Sequence, residues 1–352
     1  MGSVGFIGGK FLPLHQGHVY AITQAACRCD ELYVVLSHSP TRDQKLCEEA
    51  GIKPIPYEVR LRWLSTLAKD MENVRVLAVE DRADSDESYD WEAGAADIKR
   101  KIGKKIDLVF SSESGYDPIF RRLYPEAEHI ILDESRSQVP ISATQIRSEG
   151  IYAHWQHIPT VVQPYFVKKV VVVGTESCGK STMTRYLAKM YNTVFVEEYG
   201  RTICEEVGGC DTILTPEYFP HIAYGHKMKE YEALQKANKL LFIDTEAIVT
   251  QFYSELYTGQ TFPVLDQIAE VQAYDLWLFM EPDVAWVDDG LRVHGEEQVR
   301  WNNHEKLRQM LDERGITYVT LRGNYAERLQ GAMQHVDQLL KTTSQRAGIG
   351  LD

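Results

Sequence analysis

Two short stretches of this chain carry residue types that handle phosphate. The first, Gly9-Lys10-Phe11-Leu12-Pro13-Leu14-His15-Gln16-Gly17-His18, sets two histidines three positions apart. On the first turn of a helix that spacing puts both rings on one face, aimed at one anion. The glycines let the backbone approach it closely, and a helix N-terminus contributes its positive end. Either histidine alone reads as an ordinary core or surface residue, whereas the pair framed by glycines reads as a phosphate site. The second stretch, Gly174-Thr175-Glu176-Ser177-Cys178-Gly179-Lys180-Ser181-Thr182, fits G-x-x-x-x-G-K-S/T at every fixed position. In such a loop backbone N–H groups wrap the phosphates, Lys180 neutralises them and Ser181 binds Mg²⁺.

Each stretch has candidate companions. Ile141-Ser142-Ala143-Thr144-Gln145-Ile146-Arg147 reads as a helix start capped by Ser142, where two hydroxyls and Arg147 can hold a polyphosphate. Leu240-Leu241-Phe242-Ile243-Asp244-Thr245-Glu246 puts Asp244 at the end of an apolar strand, as a Mg²⁺-orienting carboxylate requires. The plainer alternative is that Asp244 only caps a helix. Glu197-Glu198-Tyr199-Gly200-Arg201 offers a carboxylate to take a hydroxyl proton, or else a solvated charge cluster. Either Glu198 or Asp244 fits the role of base. In Asp283-Val284-Ala285-Trp286-Val287-Asp288-Asp289-Gly290-Leu291-Arg292, Trp286 suits a flat cation and Asp289 suits sugar hydroxyls. Arg292, or Arg300 beyond it, suits a terminal phosphate, and the competing reading is a turn around a buried Trp.

The elements that must position these residues alternate along the chain. Apolar runs at 4–7, 32–36, 74–79, 106–110 and 129–132 are separated by helical patterns, the βαβ signature of a parallel sheet. The pattern lapses over 158–165, where Pro159 and Pro164 predict a linker. A second alternation follows, with strands expected at 169–173, 193–196, 240–243, 276–279 and 317–321. The run 169–173 is apolar enough to be buried on both faces. The fold class expected is α/β, with two doubly wound parallel-sheet domains at 1–160 and 168–345. Both phosphate stretches then lie where a strand hands over to a helix, the place where α/β sheets bind nucleotides.

The totals agree with two globular domains. The 352 residues are 44% hydrophobic and 25% charged. A net charge of −13 repels a polyanion, so no DNA partner is expected, while a compact phosphate ligand is still accommodated. The six cysteines show neither a C-x-x-C pair nor metal-ligand spacing, and no signal peptide or membrane span is evident. A cytoplasmic protein with small-molecule substrates is the expectation, and a homo-oligomer is compatible with it.

G-x-F-x-P-x-H-x-G-H followed far downstream by I-S-x-T-x-x-R resembles the nucleotidylyltransferase superfamily. With the P-loop, E-Y-G-R, F-I-D-T-E and W-V-D-D-G-L-R in the second half, nearly the whole chain is similar to the NadR family, which pairs nicotinamide mononucleotide adenylyltransferase with ribosylnicotinamide kinase. That resemblance implies a Rossmann-like nucleotidylyltransferase domain followed by a P-loop kinase, with ATP as co-substrate of both and Mg²⁺ as cofactor. It assigns Gly9, Lys10, Phe11, His15, His18, Ser142, Thr144 and Arg147 to ATP in the first domain, and Trp91 to the nicotinamide ring. It assigns residues 174–182 to ATP in the second, with Ser181 and Asp244 on Mg²⁺. Glu198, Tyr199, Arg201, Trp286, Asp289 and Arg292 would face the riboside. Some family members carry an N-terminal helix-turn-helix, and this chain is expected to do without one. Two rival readings are a coenzyme A synthesis enzyme joining phosphopantetheine adenylyltransferase to dephospho-CoA kinase, and a sensor that binds ATP and NAD without turnover.

Overall fold

The computed structural model describes residues 2–81, 89–207, 215–286 and 296–345. The chain divides into two units, one reaching to Val162 and the other spanning residues 163–341. In the first, β1 (Val4–Gly9), β2 (Glu31–His38), β3 (Val74–Glu80), β4 (Leu108–Ser111) and β5 (Glu128–Ile131) form an all-parallel sheet in the order β3-β2-β1-β4-β5. Strand order reverses at β1, so the carboxyl ends of β1 and β4 open onto a crevice. The helix Trp91–Ile102 shows how sequence dictates this packing. Asp90 caps it by accepting from the Ala93 amide at 3.0 Å, and Gly103 ends it at φ 63°, a left-handed turn that suits glycine. Ala95, Ile98 and Ile102, spaced by three and four, share the face that packs against Val4, Phe6, Val35 and Val109.

The second unit contains β6 (Lys168–Val173), β7 (Phe195–Val196), β8 (Leu240–Asp244), β9 (Leu276–Met280) and β10 (Val319–Leu321), again all parallel, in the order β10-β9-β6-β8-β7. Val170, Val171, Val172 and Val173 are all fully buried, as the apolar run demanded. Each is stabilised by about 1.5–3 kcal/mol of side-chain burial. Strand β7 is shorter than its expected four residues. The Thr193 hydroxyl donates to the Leu240 carbonyl at 2.6 Å and accepts from the Asn238 amide at 2.9 Å, so a side chain does the work of the ladder there.

The expected linker also differs in detail. A short helix, Gln163–Phe166, forms across Pro164. Proline is tolerated at that second position because the first N–H groups of a helix have no internal partner to lose. Cys204 is disulfide-bonded, a pairing that cysteine spacing did not announce, whereas Cys27, Cys29, Cys47 and Cys178 are free. No described helix is long and apolar enough to cross a membrane.

Candidate active sites

The first cleft, about 1650 Å³ with its open mouth included, lies at the β1–β4 crevice. Its floor is Gly8, Gly9 and Lys10, and the helix Gln16–Ala26 begins at its edge. His15 is the N-cap of that helix, and its Nδ1 accepts from the Gly17 amide at 3.1 Å. His18 Nδ1 in turn accepts from the His15 amide at 3.4 Å, which closes a capping box built from two imidazoles. A Cβ on Gly17 would stand 2.9 Å from the His15 ring, so only glycine permits this cap. With Nδ1 accepting in both rings, a neutral imidazole keeps its proton on Nε2, the nitrogen left to donate to a ligand. The rings stack at 3.8 Å.

Electrostatics keep both rings neutral. Burial, followed by the positive field of Arg136, lowers the His15 pKa to about 3. Burial and the neighbouring His15 ring take His18 well below its ordinary value. A stability prediction follows for His15. As pH falls below 6.5 the unfolded ring takes up a proton that the folded ring refuses until about pH 3, so stability is lost across that window and unaffected above it. Between pH 7 and pH 5, urea denaturation of the wild type should lose about 2 kcal/mol more than that of His15→Gln.

Lys10 reaches the cleft while held at both ends. Its Nζ donates to Asp43 at 3.0 Å, and its carbonyl accepts from Arg60 at 2.8 Å. Arg60 is buried and also pairs with Asp43 at 2.6 Å. Burial works to raise the Asp43 pKa, but Arg60 and Lys10 pull it below the usual carboxylate range, so the trio carries net positive charge beside the cleft. Ser142 caps the helix Ala143–Glu149 by accepting from the Gln145 amide at 3.0 Å, and it lines the cleft with Thr144. Arg147 is absent from the cleft wall. Its guanidinium donates to the Leu12 carbonyl at 2.6 Å and to the Thr144 hydroxyl at 3.2 Å, bracing the phosphate loop from behind.

A different arginine, Arg136, lines the cleft. Sequence reasoning missed it because it sits in an aperiodic loop. Asp133 builds that loop, taking the Ser137 amide and hydroxyl at 2.9 and 3.0 Å and the Gln138 amide at 3.0 Å. Trp91 stands at the far end of the cleft, against Tyr89 at 4.8 Å and Tyr116 at 5.3 Å. Three aromatic faces gathered there suit a flat cationic ring. Ser111 at the end of β4 contacts His129 Nε2 at 2.8 Å, whose Nδ1 meets Asp117 at 2.9 Å. Because Ser111 also donates to the Glu113 carbonyl at 3.1 Å, this chain of bonds fixes the cleft-lining segment Ser111–Glu113.

The second cleft, about 1000 Å³, opens at the end of β6. Gly174 has φ 150°, and a Cβ there would meet Cys178 Sγ at 2.8 Å and the Met280 carbonyl at 2.9 Å. Glu176, Ser177, Cys178, Gly179, Lys180, Ser181 and Thr182 line the cleft above the N-terminus of the helix Lys180–Met190. Arg328, fully buried, braces this loop from below through the Cys178 carbonyl at 2.7 Å, the Glu281 carbonyl at 3.0 Å and an ion pair with Asp283. Lys180 is buried and donates to the Thr175 carbonyl at 3.0 Å. Burial works to lower its pKa, yet Cys178, Glu198, Asp244 and Glu176 together hold it above its ordinary value.

The structure separates the two acidic candidates. Glu197 is exposed and pairs with Arg185 at 3.4 Å, whereas Glu198 is half-buried on the cleft wall with Tyr199 and Arg201. Burial raises the Glu198 pKa, and Asp244 raises it further against the pull of Lys180. Asp244 is buried at the end of β8, its pKa raised by burial and eased by Lys180 and a hydrogen bond with Ser181. Capping belongs to Glu246, not Asp244. Glu246 takes the Ile248 and Val249 amides at 2.7 and 3.0 Å and starts the helix Ala247–Thr258.

Trp286 is half-buried and is not among the residues lining either cleft. Asp289 and Arg292 lie outside the described residues. Arg300 is buried, donates to the Val284 carbonyl at 3.0 Å and lines a small recess with Thr175 and Glu176. The opposite wall of the cleft, Phe219, Ile222, His226, Tyr253 and Tyr257, was not anticipated. At helical spacing these residues look like a core stripe, and sequence gives no sign that the stripe faces a cavity.

Comparison with known proteins bears on both halves. The AAA domain family matches residues 169–328. The "Trifunctional NAD biosynthesis/regulator protein NadR" of Escherichia coli (strain K12) is 34% identical over 322 residues, 90% of this chain and 78% of that protein. Its Salmonella typhimurium (strain LT2) counterpart is 32% identical over 344 residues, 96% of this chain and 83% of that one. A phosphopantetheine adenylyltransferase of Streptococcus pneumoniae (strain CGSP14) is 28% identical over 144 residues, 41% of this chain and 81% of its own. Two solved structures are similar over the full length. One is described as NadR protein in complex with NR (TM-score 0.78, 28% identity, 99% and 97% of the two chains). The other is NadR protein in complex with NAD and AMP-PNP (TM-score 0.78, 26% identity, 100% and 98%).

Proposed function

The chain belongs to the NadR family of NAD biosynthesis proteins, and on that premise we propose that this enzyme carries out two ATP-dependent steps in succession. In the second unit the 5′-hydroxyl of nicotinamide riboside attacks the γ-phosphorus of ATP, giving nicotinamide mononucleotide and ADP. In the first unit the phosphate of that mononucleotide attacks the α-phosphorus of a second ATP, giving NAD and pyrophosphate. The observation that carries this reading is a pair of anion cradles at strand-to-helix junctions, each with its own neutralising groups. Neither step needs a protein nucleophile, because positioning and charge stabilisation suffice for such displacements.

In the kinase cleft Lys180 and the loop amides hold the phosphates. Glu198, on the wall, receives the proton of the attacking hydroxyl. Asp244, buried and hydrogen-bonded with Ser181, is the carboxylate for a metal ion, which leaves Glu198 as the base. The donor set fits Mg²⁺, which takes one or two protein oxygens and completes its shell with phosphates and water. Bound there, Mg²⁺ would neutralise charge on the phosphate oxygens. In the adenylyltransferase cleft the two Nε2–H groups of His15 and His18, with Lys10 and Arg136, stabilise charge building on the α-phosphate, and Trp91 stacks on nicotinamide.

The arginines separate by role. Arg136→Ala should raise KM for ATP in adenylyl transfer about 10–100-fold with little change in stability, since its ion pair with Glu113 is exposed. Arg147→Ala should instead destabilise the first unit by about 1–3 kcal/mol, because it strands the Leu12 carbonyl. Steady-state kinetics alongside denaturation curves check both. The function itself is tested by feeding ATP, Mg²⁺ and either nicotinamide riboside or phosphopantetheine. Mononucleotide, NAD, ADP and pyrophosphate from the riboside support the proposal. Turnover of phosphopantetheine alone, or melting shifts without any product, overturns it.

A further inference from the structure

The kinase cleft contains a polar atom that no described part of the protein satisfies. His226 lies on the helix Tyr218–Leu234, where Phe219, Ile222 and His226 follow one another by three and four and face the cleft. The residue is 5% exposed, and its Nε2 is buried with no hydrogen-bond partner. The backbone of Thr245, which lines the same cleft, faces the ring. Burial lowers the pKa to about 4, so the imidazole is neutral near pH 7. A neutral imidazole carries its single proton on one of its two nitrogens, so Nε2 is left to pair with a hydroxyl, a group that both donates and accepts. Glu230, one turn along the helix, cannot satisfy it. That carboxylate is engaged by Lys169 at 3.1 Å, Lys227 at 2.6 Å and the Tyr274 hydroxyl at 3.1 Å, and it has no proton to donate. A buried polar atom left unmatched on a cleft wall is costly unless a ligand pairs with it.

The position of His226 says which partner. Thr245 directly follows Asp244, so the ring is anchored beside the carboxylates that surround Lys180, at the end of the cleft where phosphoryl transfer takes place. The part of a riboside that lies there is its sugar, with the secondary hydroxyls a few bonds from the reacting oxygen. We propose that His226 is a positioning and specificity residue whose Nε2 hydrogen-bonds the 2′- or 3′-hydroxyl of the phosphoryl acceptor's ribose. This rests on the kinase reading above. It makes the cleft discriminate ribosides from deoxyribosides, because a site built to accept a hydroxyl rejects the analogue that lacks one.

The test is a cycle between enzyme and substrate, with kcat/KM measured for nicotinamide riboside and its 2′-deoxy and 3′-deoxy analogues. In the wild type, removal of one of the two hydroxyls should cost at least about tenfold. In His226→Phe that same removal should cost less than about twofold, because the hydroxyl's partner is already gone. His226→Gln, whose amide oxygen still accepts, should regain part of the discrimination. Each ratio is taken within one protein, so a partly misfolded variant does not blur it. If His226→Phe keeps the wild-type discrimination against both analogues, or loses activity equally on all three substrates, the proposal falls. A donor elsewhere on the substrate, such as the carboxamide, would give that same equal loss. A wild-type protein inert toward the riboside itself would fail one step earlier, overturning the kinase reading.

Discussion

Substituting methionine for Lys180 is expected to reduce riboside phosphorylation by at least about 1000-fold while adenylyl transfer from added mononucleotide stays within about twofold. Methionine keeps the unbranched stem of this buried side chain and removes only the ammonium. That ammonium is the positive charge that Glu176, Glu198 and Asp244 all feel, and it points into the loop through the Thr175 carbonyl. Without it, phosphates entering the cleft meet three carboxylates and no lysine. The adenylyltransferase groups belong to the other unit and are built on a different sheet. Parallel assays for ADP release from the riboside and pyrophosphate release from the mononucleotide check both halves. Loss of both activities in a folded variant would contradict independent sites.

The second large effect is expected from His18→Ala, which should lower kcat for dinucleotide formation about 100–1000-fold and leave phosphorylation intact. The effect arises from proton placement. His18 Nδ1 is occupied by the His15 amide, and its low pKa keeps the ring neutral, so a single N–H is fixed at Nε2. A donor fixed before the reaction needs no reorganisation when charge develops on the α-phosphate. The same neutrality predicts that kcat shows no histidine titration near pH 6.5, because the His15 pKa is lowered to about 3 and burial takes His18 well below its ordinary value. A step near pH 6.5 beyond the one due to the mononucleotide's own phosphate, whose second pKa is about 6, would mean that one ring is charged in the working enzyme.

Much of this arrangement was legible because it is written in local pattern. All ten strands among the described residues follow from apolar runs between helical stretches, and the glycine-framed motifs mark two strand-to-helix junctions. His15 and His18 were readable from their spacing, although their mutual capping was not, since imidazoles are unusual caps. What stayed hidden depends on contacts between distant segments. Arg136 is held in an aperiodic loop built by hydrogen bonds to Asp133, and the motif that marks Arg147 gives no sign of its bond to the Leu12 carbonyl. The assignment of Asp244 turned on its neighbour. Only the structure shows that Glu246 takes the helix cap and leaves Asp244 beside Ser181 and Lys180. Phe219, Ile222 and His226 read as core until the helix that carries them is seen to border a cavity.

The central claim is that one cradle acts on the terminal phosphorus of ATP and the other on the inner one. It is tested most directly with ATP carrying heavy oxygen in its γ-phosphoryl group, given to the enzyme with unlabelled nicotinamide riboside. Mass spectra should show the label in the nicotinamide half of the dinucleotide and in the released pyrophosphate, with ADP unlabelled. A dinucleotide without the label, or label recovered only as free phosphate, would contradict the account.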